Sequence, residues 1–167
     1  HIALAVSLKL GNYIKASFPE IEVIYTRDSD VFLELKERTQ IANNANADLF
    51  ISVHCDGFTN PEPFGSSVFV MGMSKLKANM EVAMRENSAI YLEDNYQQKY
   101  EGFDPKSAES YIVFSLMQNT YLNQSLKIAE EVEKEFAIRA NRKSRGVKQA
   151  PFYVISRTNM PLSLIHI

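Results

Sequence analysis

The chain has 167 residues, 46% of them apolar and 23% charged, with a net charge of −2. That leaves room for one domain with a real core, and without a basic block the balance argues against a nucleic-acid partner. No apolar run is long enough to span a bilayer, no signal peptide is visible, and the single cysteine, Cys55, excludes an intrachain disulfide framework or a cysteine-rich zinc site.

Ile2, Val6, Leu10, Tyr13 and Ile14 recur at helical spacing, which predicts a packed helix ending at Phe18-Pro19. Glu22–Thr26 (EVIYT) reads as a short strand that breaks into the polar turn RDSD. Leu33–Asn46 resumes the helical period. Leu49–Val53 is apolar on both faces, which predicts a central strand of a parallel sheet. The loop FTNPEPFG leads to a third strand, Ser67–Gly72.

Residues 74–92 look helical, and a polar, aromatic-dotted stretch without clear period follows. Ser107–Ala137 reads as one long helix, NRKSRG as a basic loop, and Phe152–Ser156 (FYVIS) as a fourth strand. Alternating helices and strands with short connections predict an α/β fold. Its sheet should be mostly parallel or mixed, flanked by helices on both faces, and incomplete at both ends. The chain opens inside a helical pattern with no capping residue before it, and it closes on the strand-like run NMPLSLIHI. An internal piece of a longer protein is therefore expected. The last residues, LSLIHI, also match what one reading frame of a common sequencing-library transposon end encodes, so Leu162–Ile167 are expected to be a non-native scar outside the fold.

Functional groups in open α/β sheets collect at the carboxyl ends of strands, and His54 sits at such an end. Alternation places His54 with Ser52 and Asp56 on one face and turns Cys55 to the other, which argues against a His54–Cys55 catalytic pair. Cys55 is expected to pack as a small buried residue. His54 has two readings from the residues alone: a polar strand exit bonded to a loop, or a metal ligand. Hydrolytic zinc needs three protein ligands, and spacing supplies only this one. His1 lies at the chain's start and His166 in the expected scar. Asp28, Asp30, Glu34 and Glu37 suit the amino end of a helix, and the NRKSRGVK patch suits a solvated loop.

The run TRDSDVFLELKERTQIANNANADLFISVHCD resembles the zinc-dependent N-acetylmuramoyl-L-alanine amidases of bacteria. Their ordered pattern T-R-x-x-D, L-x-x-R-x-x-x-A-N, A-D-x-F-I-S-x-H is met by Thr26, Arg27, Asp30, Leu35, Arg38, Ala42, Asn43, Ala47, Asp48, Phe50, Ile51, Ser52 and His54. Residues 85–119 look like the insertion of one branch of these enzymes, and RGVKQAPFYVISRTNMP resembles the approach to their final catalytic strand. The resemblance covers residues 1–161, with an insertion over roughly 74–120.

It implies a zinc hydrolase that cuts the amide between N-acetylmuramic acid and L-alanine in peptidoglycan. It also implies a periplasmic or extracellular setting. The family's zinc is held by a first-strand histidine, a glutamate before the next helix, and the histidine of S-x-H, which is His54 here. The first two would precede His1, and the catalytic glutamate of the final strand would fall beyond Pro161. No catalytic residue is therefore expected within the chain, and the piece by itself is expected to be inactive. Cys55-Asp56 departs from the family's A-N. Glu93–Ser107 is proposed as a lid near the cleft, on which an activator protein could act. Two alternatives stay open at this point: a non-catalytic peptidoglycan-binding or regulatory module on the same fold, and a cysteine hydrolase using Cys55.

Overall fold

The computed structural model describes residues 2–55, 64–74, 76–116 and 120–167. In chain order the elements are α1 (Ile2–Ser17), α2 (Leu35–Asn44), β1 (Phe50–His54), β2 (Ser66–Met71) and α3 (Lys77–Asn87), then α4 (Tyr96–Lys99), α5 (Ile112–Leu116), α6 (Leu122–Ile138), β3 (Ser144–Ala150), α7 (Tyr153–Ser156) and β4 (Leu162–His166). The strands form one mixed sheet in the order β1-β4-β2-β3. β1 runs parallel to β4, β4 antiparallel to β2, and β2 parallel to β3.

Period-two alternation divides β2 between the two faces. Val68 and Val70 pack with Ala129 of α6 and Ile165, while Phe69 and Met71 join the larger core with Ala83 of α3, Phe152 and Leu164. Helices thus cover both faces, as the α/β reading expects.

Several elements differ from the sequence expectation, each for a physical reason. Glu22–Thr26 forms no strand. It lies across a groove of about 620 Å³, lined also by Leu10, Ile14, Ile51 and Val53, that separates it from β1, and an extended segment without a ladder partner is not a strand. β1 accordingly sits at the sheet's edge rather than its centre. Phe152–Ser156 yields the buried turn α7 instead of a strand, since four apolar residues suit a buried helix as well as a strand. The predicted basic loop contributes Ser144–Gly146 to β3, an edge strand, where exposed charge guards the unpaired side. The long helix foreseen over 107–137 is broken: a 3-10 turn covers Ala108–Tyr111, then come α5 and, from Leu122, α6.

Leu162–Ile167, expected to lie outside the fold, are drawn into it. All of Leu162–His166 is buried, and β4 is the only described strand that pairs with both β1 and β2. An apolar run beside two open ladders gains both hydrogen bonds and burial, whatever its origin.

Gly65 leads into β2 at φ +112°, and a Cβ there would stand 2.2 Å from the Lys143 carbonyl oxygen. Gly65→Ala is expected to destabilise the protein by about 2 kcal/mol through backbone strain. A urea melt of this variant beside wild type measures the loss.

Candidate metal centre

β1 and β4 run side by side in register, pairing Phe50 with Leu162, Ser52 with Leu164 and His54 with His166. Paired residues of a parallel ladder share a face, so both imidazoles leave the carboxyl ends of their strands on the same side. Their ring centroids are 5.8 Å apart and nearly parallel. α3 brings Glu86 to this pair. His54 Nδ1 lies 3.1 Å from Glu86 Oε2, and the ligand-capable atoms of His54, Glu86 and His166 all fall within 4.8 Å of one another.

The three environments differ. The side chains of His54 and Glu86 are 15% and 20% exposed, whereas His166 is 2% exposed. His166 is walled by Phe69 at 4.9 Å and Phe152 at 5.9 Å between centroids. Burial by itself would raise the Glu86 pKa. The hydrogen bond from His54, with the nearby His54, His166 and Arg85, outweighs it and holds this carboxyl below its ordinary range. An ionised carboxylate only accepts hydrogen bonds, so His54 Nδ1 carries the proton of this contact.

Two imidazoles and a carboxylate are a donor set that zinc accepts. Around a tetrahedral ion at ordinary zinc–nitrogen and zinc–oxygen distances, donor atoms stand about 3.4 Å apart. A cluster within 4.8 Å closes onto such an ion by modest side-chain shifts.

His54, anticipated from the sequence, is at the centre of this cluster. Glu86 was missed because it lies in a helical stretch whose carboxylates carry no spacing signal. His166 was missed because its segment was set aside as a scar. The set also differs from the one the family resemblance implies, sharing only His54 with it. Cys55 is exposed rather than buried, because the chain leaves the sheet immediately after His54. Asp56 and His1 lie outside the described residues. The other motif residues build the frame: Leu35, Ala42 and Phe50 are core. Asn43 accepts from Asn159 N–H at 3.0 Å and donates to the Arg157 carbonyl at 2.8 Å, tying α2 to the loop that enters β4. Glu34 and Glu37 form a capping box at the start of α2, the helix-end role foreseen for them.

The family model for N-acetylmuramoyl-L-alanine amidase matches residues 1–167. The chain belongs to the N-acetylmuramoyl-L-alanine amidase family. It is 31% identical over 168 residues to the N-acetylmuramoyl-L-alanine amidase AmiA of Escherichia coli K12, covering 99% of this chain and 55% of AmiA. To AmiC of an Escherichia coli O6:H1 strain it is 27% identical, covering 98% of this chain and 38% of that protein. The chain thus spans about half or less of the length of these amidases. Among solved structures, the catalytic domain of CwlV from Bacillus (Paenibacillus) polymyxa aligns with a TM-score of 0.61 and 23% identity, over 98% of this chain and 63% of that one. An N-acetylmuramoyl-L-alanine amidase from Clostridium difficile 630 aligns at 0.64 and 20%, over 97% and 62%. At those identities the structures speak for the amidase fold.

Proposed function

We propose that the protein to which this chain belongs hydrolyses the amide between N-acetylmuramic acid and L-alanine in peptidoglycan, in the cell envelope, and that His54, Glu86 and His166 hold a zinc ion in this chain. Family membership supports the reaction. The observation that carries the metal reading is the convergence of two imidazoles and an ionised carboxylate at the paired carboxyl ends of β1 and β4.

Bound zinc would supply Lewis-acid polarisation of the amide carbonyl and a water of lowered pKa. The chain's own groups prepare the place. Glu86 is kept anionic, as a ligand to a cation must be, and its contact with His54 Nδ1 holds the two groups together before a metal binds. Phe69 and Phe152 pack the buried side of His166 and keep water from it, while the partly exposed His54 and Glu86 form the open side toward substrate. Proton transfer to the leaving amine calls for a carboxylate of its own, and the one carboxylate of this cluster, Glu86, is assigned here to the metal.

The chain by itself should therefore bind about one equivalent of zinc and release no peptide from muropeptide. Equilibrium dialysis with metal analysis tests the first part, and chromatography of digested muropeptide the second. Peptide release abolished by a chelator would refute the inactivity, and absence of zinc binding would refute the metal reading.

The residues of the proposed lid, Glu93–Ser107, begin with a buried anchor, Glu93, and we propose that an activating partner acts on this segment. One structural relative, the CwlD amidase from Clostridioides difficile, was solved in complex with the GerS lipoprotein.

A further inference from the structure

We infer that Asn87 is a positioning residue that sets Glu86 against His54 and couples two of the metal-site groups to each other. This inference rests on the metal-site reading above.

Asn87 is the last residue of α3 and is 1% exposed. Its carboxamide is fully engaged. Nδ2 donates to the Pro151 carbonyl at 3.0 Å and to Tyr111 Oη at 3.1 Å, and Oδ1 accepts from Tyr153 N–H at 2.7 Å. Both ends of the amide thus grip the turn that follows β3, at residues 151 and 153. Three bonds in different directions fix the end of α3 in place and in rotation about its axis. Glu86 is the preceding residue, so that rotation decides whether its carboxylate meets His54.

The gripped turn has a second task. Between its two bonded residues lies Phe152, whose ring stands edge-on to Phe69 at 5.1 Å and 5.9 Å from the ring of His166. One side-chain amide therefore ties the helix that carries Glu86 to the residue that packs His166. The third bond reaches Tyr111, buried and itself donating to the Pro105 carbonyl at 3.0 Å. Residues 105–111 are thus linked to the centre through the same amide.

The test uses Asn87→Ser, Tyr111→Phe, Glu86→Gln and the Asn87→Ser/Glu86→Gln pair, each checked for cooperative melting. Two readouts are taken: zinc affinity by competition with a chromophoric chelator, and, in metal-free protein, the hydrogen-bonded Nδ1 proton of His54 by ¹⁵N-edited NMR. Asn87→Ser is expected to weaken zinc binding by about 10- to 100-fold, the usual loss when an outer-shell partner is removed. It should also abolish the Nδ1 signal. In the Glu86→Gln background the same change should add little, because the residue acts through Glu86. Tyr111→Phe, which keeps the ring but removes one of the three bonds of Asn87 and the Tyr111 bond to the Pro105 carbonyl, should weaken binding by a few fold. Equal weakening with Gln at 86 would reduce Asn87 to a general packing role and overturn the inference, as would an unchanged Nδ1 signal in folded Asn87→Ser. If the wild-type chain binds no zinc the metal reading falls, and the Nδ1 signal alone then decides the role of Asn87. Should Asn87→Ser not fold, Tyr111→Phe decides it in the same way.

Discussion

Replacing His54 by alanine is expected to weaken zinc binding by more than about 100-fold, because removal of an outer-shell partner alone costs up to that much and His54 would be bound directly. It is the residue shared by the cluster seen here and the set implied by the family pattern. It also orders the cluster, since its Nδ1 proton holds Glu86 Oε2 at 3.1 Å and its ring lies against His166. A ligand that binds only the folded state raises stability by about 2.7 kcal/mol at a hundred times its Kd. Wild type should therefore melt at higher temperature when zinc is added, and His54→Ala should not. Lys77→Ala, at an exposed position on α3, should keep the zinc response in full. A His54→Ala protein whose melting temperature still rises with zinc as wild type does would remove His54 from the site.

How far this centre could be read from the sequence depended on where each ligand lies. His54 ends a short apolar strand inside a long ordered motif, so both its strand position and its chemistry were legible. Glu86 is one of two carboxylates in a helical stretch, with Glu81, and only the packing of α3 on the sheet shows that it points at His54. His166 needed the partner strand. Its meaning comes from the register that pairs it with His54, and register is a long-range property that local composition does not carry. The same limit explains the errors in the fold. Glu22–Thr26 has strand composition but no ladder partner, and Ser144–Gly146 has loop composition but a partner in β2. Phe152–Ser156 is apolar on every side, so neither periodicity decided it.

Glu93→Ala is expected to destabilise the protein by about 3–5 kcal/mol, a large share of the 5–15 kcal/mol that holds a typical domain. Glu93 is 5% exposed. Its Oε1 accepts the Leu35 N–H at 3.0 Å and its Oε2 the Tyr100 hydroxyl at 2.6 Å. The first bond satisfies a free amide at the start of α2 and places negative charge at the helix's positive end. Truncation would leave that amide and the Tyr100 O–H without their acceptors, at about 1–3 kcal/mol each, although the Tyr100 oxygen still accepts the Lys36 N–H at 3.3 Å, and would forfeit the dipole contribution. Glu93→Gln, which keeps the shape and loses the charge, should cost about 1–2 kcal/mol. Burial first, and then the bond to Glu93, raise the pKa of Tyr100. A raised tyrosine favours the folded state in its neutral form. The Tyr100 contribution is thus complete below about pH 10, the ordinary tyrosine value, and is lost only as pH climbs through the higher folded value. Urea titrations of wild type, Glu93→Ala, Tyr100→Phe and the double variant at neutral pH test the arrangement. The two single losses should sum to more than the double, since each removes the same hydrogen bond. A Glu93→Ala loss below 1 kcal/mol would mean that the proposed lid is not anchored through this carboxylate. If the anchor holds, any partner that lifts the segment beginning at Glu93 must first break the cap on α2, the helix that Asn43 ties to the loop entering β4.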